Sequence, residues 1–310
     1  MRAWLMDSAE GVERLRLGEV ADPRPGPTQV LLRMRVAALN PADAFLARGM
    51  YPAKPPLPHI LGRDGVGDVV TVGPGVDNVR VGETVGILRC GVGVDVWGTL
   101  AEHVVVPMES VTRVPSGWSL EEMAGAPLVF LTAWQALTQW HDPPTPPFAG
   151  SVLLLTGASG GVGVASLLLG KSMNLTVVAL SRSAEKGARL KMLGANVVCD
   201  PTDSNLVDAV KAAISPRRVD LAVDSVGGAL LTQVIALLGY GAGSAWLAGA
   251  EGPCQTSTRR ACCSAAFVSA ESRLETIRRR QRTGRGRKLL IDWMPWGSGR
   301  RWTPLSRSKM

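Results

Sequence analysis

Between the apolar run Ser151-Val-Leu-Leu-Leu155 and the stretch Val164-Ala-Ser-Leu-Leu-Leu169 lies Thr156-Gly-Ala-Ser-Gly-Gly-Val-Gly163. A glycine turn that leaves a strand and opens a helix can receive a pyrophosphate on backbone N–H groups, helped by the helix dipole. Glycine is needed because a Cβ would block the approach of the phosphates and the packing of helix on strand. The spacing Gly157-x-x-Gly160-x-x-Gly163 is not the strict GxGxxG, so the strand-before, helix-after context carries the reading. We expect Thr156, Gly157, Ala158, Ser159, Gly160, Gly161, Val162 and Gly163 to contact a dinucleotide. A tight turn without a ligand is the alternative.

The end of the next strand chooses between cofactors. An Asp or Glu there would bind the ribose hydroxyls of NAD. This chain has Ser181-Arg182-Ser183, with Lys186 behind. Two cations and two hydroxyls suit a 2′-phosphate, so NADPH is the expected cofactor, held in part by Ser181, Arg182 and Lys186. The alternative here is a solvated helix start.

These residues need elements to position them. RAWLMD, QVLLRMRVAAL, GDVVTVG, ETVGIL and AEHVVVP read as short β-branched strands separated by Gly-Pro punctuation. Ser119-Leu-Glu-Glu122 is a capping box, and the helix that it starts is expected to continue through Ala133-Trp134-Gln135. A proline-rich connector, His141–Gly150, follows. From Ser151 strands and helices alternate: SVLLLT, LTVVALS, NVVCD and VDLAVDSVG as strands, with helical runs between them and ALLTQVIALLGYG after the last. That order implies a parallel, doubly wound sheet. The expected division is 1–118, a β-rich domain; 119–240, a nucleotide-binding domain; and 241–310, a basic tail.

The chain has 310 residues, 46% hydrophobic and 19% charged, as suits a globular protein with cores. Its formal charge of +8 is uneven. Residues 241–310 hold 14 Lys and Arg against 4 Asp and Glu, a net +10, and the rest nets −2. The first 240 residues therefore give no sign of a polyanion partner. The five cysteines show no metal-ligand or redox spacing. The N-terminus has no apolar segment of signal-peptide type, and a reducing cytoplasmic setting is expected. Gly150–Gly170 and Ser225–Ala250 approach membrane length, but their glycine clusters read as buried strand–turn–helix pieces.

Several further motifs occur in order: Asn40-Pro-Ala-Asp43, Arg48-Gly-Met-Tyr-Pro52, His59-Ile-Leu-Gly-Arg-Asp-Gly65, Val72-Gly-Pro-Gly-Val76 and Gly98-Thr-Leu-Ala-Glu102. Together with the glycine turn they make residues 1–240 resemble the quinone oxidoreductase, zeta-crystallin-like branch of the medium-chain dehydrogenase/reductase superfamily. The resemblance implies an α/β protein: a GroES-like β-rich catalytic domain beside a Rossmann domain, with the active site in the cleft. It also implies a homodimer and hydride transfer to a quinone or activated alkene. By the same resemblance Asn40 and Tyr51 line the substrate side, and Thr132 lies near the nicotinamide. Tyr51 can donate a hydrogen bond or proton, or it can simply pack. Asp64 belongs to the candidate catalytic set, although ion pairs by Asp43, Arg48 and Asp64 are the preferred reading of those three. Ser225 and Tyr240 complete the expected cofactor contacts.

The alcohol dehydrogenases of that superfamily bind catalytic zinc through a Cys after the first core strand and a His in a Gly-His-Glu turn. Here those places hold Ala42-Asp43 and Gly62-Arg63-Asp64, and Cys90 is the only cysteine where a four-cysteine zinc lobe would lie. No metal site is expected. His59, His103 and His141 are read as turn or surface residues.

Beyond Tyr240 the resemblance stops, where the family continues Gly-Arg-Ile-Ser-Val-Val-Gly. Deleting one G from a coding of Tyr-Gly-Gly-Arg-Ile-Ser-Val-Val-Gly yields Tyr240-Gly-Ala-Gly-Ser-Ala-Trp-Leu247, so a frameshift near codons 241–242 is expected. It would account for the Arg, Cys and Trp surge, including Arg278–Lys288, without nucleic acid. On that reading the tail is disordered, the Rossmann sheet lacks its last strand, and dimerisation and turnover by this chain are in question. An NADPH-binding protein without turnover and a basic-tail nucleic-acid binder are the rival functions.

Overall fold

The computed structural model describes residues 1–88, 91–139 and 146–246. They fall into two compact units, Met1–Leu131 and a second beginning at Thr132.

In the first unit β1 (Arg2–Met6), β2 (Arg16–Glu19), β3 (Gln29–Ala38), α1 (Pro41–Ala47), β4 (His59–Ile60), β5 (Asp64–Val72), β6 (Thr84–Ile87), β7 (His103–Pro107) and β8 (Val111–Arg113) follow in order. They make an antiparallel sheet β7-β3-β5-β6-β8 and a small sheet β2-β1-β4. Val30 and Leu32 of β3 pack with Val69, Val85, Ile87, Val104 and Val106, all buried. Alternate residues of each strand supply that core, as the period-2 pattern requires. The five strands expected from sequence are present. The short strands β2, β4 and β8 and the helix α1 were not expected. Asn40 precedes α1 with Pro41 at its first position, a helix-start signal that the β-rich reading passed over.

The helix expected from Ser119 is interrupted. Ser119 caps α2 (Leu120–Gly125), its hydroxyl accepting from Glu122 N at 3.1 Å while Ser119 N donates to Glu122 Oε2 at 2.8 Å. A separate helix α3 (Pro127–Thr138) begins after Ala126. Pro127 has no N–H to continue the first helix but suits the first turn of the second. The expected domain boundary was 118/119; α2 packs on β3 and β5 and groups with the first unit.

The second unit contains β9 (Val152–Leu155), α4 (Gly161–Ser172), β10 (Thr176–Leu180), α5 (Ala184–Leu193), β11 (Val197–Cys199), α6 (Leu206–Ile214), β12 (Val219–Asp224), α7 (Gly228–Leu237) and β13 (Leu238–Trp246). The strands form one parallel sheet in the order β11-β10-β9-β12-β13. All four residues of β9 are buried, as befits a central strand covered on both faces. The sheet order reverses between β9 and β12, the switch point outside which open α/β sheets hold ligands.

The strand expected to be lost just after Tyr240 is present among the described residues: α7 ends at Leu237, and β13 pairs in parallel with β12, Leu221 opposite Gly243 through Asp224 opposite Trp246. Strand pairing needs only backbone groups and an open edge. Ser244 and Ala245 are small enough to be buried on it, at 4% and 2% exposure. The remainder of the expected tail, 247–310, with the Arg278–Lys288 stretch, lies outside the described residues, as do Cys90 and His141.

Candidate functional site

The first unit gathers a buried polar cluster. The register of β3 on β5 places Ala38 opposite Asp64. The chain leaving β3 therefore reaches Asn40 beside the start of β5, and Asn40 Nδ2 donates to Asp64 Oδ2 at 3.1 Å. Asn40 N donates to Asp43 Oδ2 at 2.8 Å, and Gly62 N to Asp43 Oδ1 at 3.3 Å. Arg63, 7% exposed, donates from Nη1 to the Tyr51 hydroxyl at 3.0 Å, with its guanidinium 5.7 Å from the ring centroid. Tyr51 rests on the apolar cluster of Met6, Leu46, Ala47 and Leu61.

The electrostatics follow from burial. Asp64 is fully buried, and its carboxyl is pushed up to about 7, chiefly by desolvation. The Asn40 hydrogen bond and the Arg63 charge oppose that rise, and Asp43 adds to it. Among the described residues Asp64 Oδ1 has no partner at normal hydrogen-bond distance, although the Leu128 N–H in the first turn of α3 is near enough to favour the charged form. Asp43 is also raised by burial, against the amides of Asn40 and Gly62 and the charge of Arg63. His59 is buried, not at the surface as expected, and desolvation lowers it.

Asn40 and Asp64 are thus joined to each other, and Tyr51 is joined to Arg63, which sequence reasoning left out. Its only sequence signal was a cation beside the acid in His59–Gly65. The ion pairs expected of Asp43, Arg48 and Asp64 are replaced by this arrangement. Arg48 is exposed at the end of α1, in no ion pair among the described residues, and Arg63 is the cation that both carboxylates feel. Thr132 lies half-buried on α3, in the second unit.

The second unit holds the glycine turn. Thr156 N donates to Val223 O at 3.1 Å, which sets Thr156 beside Asp224 at the switch point. The Thr156 hydroxyl donates to Asp224 Oδ1 and accepts from Ser225 N at 3.0 Å. The same Asp224 oxygen accepts from Val226 N at 3.0 Å and Gly227 N at 3.2 Å. Asp224, absent from the expected set, locks the two turns together; an acid ending the strand VDLAVD was the signal. Gly157 has φ +55, and a Cβ at Gly163 would lie 2.5 Å from Gly157 O and 2.6 Å from Ala158 Cα. The helix therefore packs on its own turn only with glycine there.

Gly160 caps α4 without a side-chain bond, so the first-turn N–H groups are free of the chain's own side chains. Ser225 Oγ is buried without a partner among the described residues. Open helix amides and an unpaired hydroxyl fit a dinucleotide pyrophosphate. At the end of β10, Ser181 Oγ donates to Ser183 O at 3.1 Å, and Ser183 caps α5 by accepting from Lys186 N at 3.3 Å. Arg182 and Lys186 are exposed. Asp200 is held below its ordinary value, first by Thr202 and last by Arg182. Tyr240 lies on β13; its side chain is outside the described residues.

No helix among the described residues is long and apolar enough to cross a membrane. No three described His, Cys, Asp or Glu residues come together as a metal site.

Residues 26–116 match the alcohol dehydrogenase GroES-like domain and residues 161–286 the zinc-binding dehydrogenase domain. A human synaptic vesicle membrane protein VAT-1 homolog is 32% identical over 230 residues, 74% of this chain. The match spans 56% of that protein, so the chain covers little more than half of such relatives. A pig quinone oxidoreductase is 27% identical over 250 residues, 80% of this chain and 73% of that one. The crystal structure of an NAD-dependent alcohol dehydrogenase superposes with a TM-score of 0.78 at 31% identity, covering 92% of this chain and 90% of its own.

Proposed function

Because the chain belongs to the medium-chain dehydrogenase/reductase superfamily of oxidoreductases, we propose that it uses NADPH to reduce a quinone or an activated alkene without zinc. One observation carries this reading. Where zinc-dependent members place a Cys and a His, this chain has Asp43 and Arg63-Asp64, and the buried Arg63 guanidinium lies near enough to both carboxylates to favour their charged forms. A fixed cation repels a second one, and the thiolate and imidazole donors that zinc favours are absent from these positions. This set does not fit zinc.

The nicotinamide supplies the hydride when bound. The chain's own residues bind and orient. The first-turn amides of α4 receive the pyrophosphate, with Ser225 Oγ as an additional donor. Arg182 and Lys186 meet the 2′-phosphate, which an acid at the end of β10 would repel. Tyr51 donates its hydroxyl proton toward the substrate oxygen as negative charge develops there. Asn40, held by its bond to Asp64, is a further candidate contact for the substrate.

The named relatives support the class of reaction, quinone reduction in one and NAD-dependent alcohol oxidation in another. The choice of NADPH rests on this chain's own Ser181, Arg182 and Lys186. The test follows NADPH and NADH oxidation by the purified chain with 1,4-quinones, enones and simple alcohols, with and without a chelator. NADPH-dependent, chelator-insensitive reduction of a quinone or enone is expected. Activity that needs added zinc, or that appears only with alcohols, sinks the proposal.

A further inference from the structure

We infer that Arg63 is a positioning residue: by donating to the Tyr51 oxygen it turns the Tyr51 hydroxyl into a dedicated donor for the substrate. This rests on the hydride-transfer reading above and deepens it.

A phenol oxygen can both accept and donate. The Arg63 Nη1–H at 3.0 Å takes up its accepting side. An arginine is always charged and never accepts, so the Tyr51 proton cannot point back along that bond. It is left to point away from Arg63. Arg63 is buried, and its charge is near enough to Asp43 and Asp64 to favour their ionised forms. Asp43 is anchored by the amides of Asn40 and Gly62, and Asp64 by Asn40 Nδ2. The Tyr51 hydroxyl is therefore oriented by a buried guanidinium that directly precedes β5. Packing on Met6, Leu46, Ala47 and Leu61 holds the ring and leaves its hydroxyl to Arg63. A cation placed only to balance two carboxylates need not also reach the phenol.

Lysine at this position keeps the charge but not the planar fork, so an ammonium cannot reach the Tyr51 oxygen in the same geometry. Arg63→Lys is therefore the informative variant, and a thermal melt confirms that it folds. The chain has 2 tyrosines, so 13Cζ-tyrosine labelling gives two resonances, and Tyr51→Phe identifies one of them. In Arg63→Lys the Tyr51 resonance should move and the other should stay. In steady-state reduction of a naphthoquinone by NADPH, Tyr51→Phe should lower kcat roughly a hundredfold. Arg63→Lys should lower it about tenfold with little change in the Kd for NADPH. The double variant should be no slower than Tyr51→Phe alone.

An unmoved resonance overturns the inference, as does a kcat that Arg63→Lys leaves intact or a double variant whose effects multiply. A wild-type chain that reduces no acceptor counts against the hydride-transfer reading instead, and the resonance then decides the Arg63–Tyr51 contact by itself.

Discussion

Asn40 and Asp64 are 24 residues apart and share one hydrogen bond, Nδ2 to Oδ2 at 3.1 Å. It ties the start of α1 to the first residue of β5, a fully buried carboxyl whose charged form is otherwise favoured only by the Arg63 charge and the Leu128 N–H. That carboxyl titrates near neutrality, and stability should follow it.

The Asp64 carboxyl rises from 3.8 to about 7 on folding. The folded chain then holds a proton that the unfolded chain releases, so stability falls as pH rises from about 4 to 7. The displacement corresponds to on the order of 4 kcal/mol. Asp43 adds in the same direction, and His59, whose value is lowered, opposes in the region below its ordinary 6.5. Asp64→Asn should therefore melt higher than wild type at pH 8, with the gap closing toward pH 5. A gap that stays constant across those melts would mean that Asp64 ionises normally.

The exposed cations at the end of β10 decide cofactor preference. Arg182→Ala with Lys186→Ala should weaken NADPH roughly a hundredfold, two charge-assisted contacts, and leave NADH nearly unchanged. Isothermal titration with both cofactors reads this directly. Equal losses for the two cofactors would remove the 2′-phosphate assignment.

Gly163 has no room for a methyl group. In Gly163→Ala the added carbon would meet Gly157 O at 2.5 Å and Ala158 Cα at 2.6 Å, both backbone. Neither can swing aside like a flexible side chain. A loss of about 1–3 kcal/mol is expected, with weaker NADPH binding because α4 is displaced. Denaturant melts check the first, and dye-free binding assays the second. Wild-type values in both would show that the helix start is more pliant than its packing implies.

Thr156 and Asp224 act as one unit. Thr156→Val keeps the shape and removes the hydroxyl that donates to Asp224 Oδ1 and accepts from Ser225 N. That leaves a buried amide unpaired and should cost about 1–3 kcal/mol. Thr156→Ser retains both bonds and should remain close to wild type in a thermal melt. If valine and serine variants melt alike, the hydroxyl is not what holds the turns together.

The amino-acid sequence alone determined the parallel sheet. Its strands are continuous apolar runs separated by helical periods, and that pattern depends only on neighbours along the chain. The glycine turn was legible for the same reason, because strand, turn and helix are contiguous. The break at Pro127 was also locally encoded, although the capping box at Ser119 masked it. Strand β13 was decided elsewhere. Gly241–Trp246 has no strand signature of its own, and it is a strand because β12 offers an unpaired edge. The polar cluster likewise depended on tertiary structure. Asn40, Tyr51 and Asp64 were visible as types, but Asn40 meets Asp64 and Arg63 meets Tyr51 only because the β3–β5 register and the chain passing through β4 bring distant segments together. Asp224 meets Thr156 across the switch point for the same reason. Burial, which raises Asp64 and lowers His59, is a property of what surrounds a residue in space, and the tertiary structure alone assigned it.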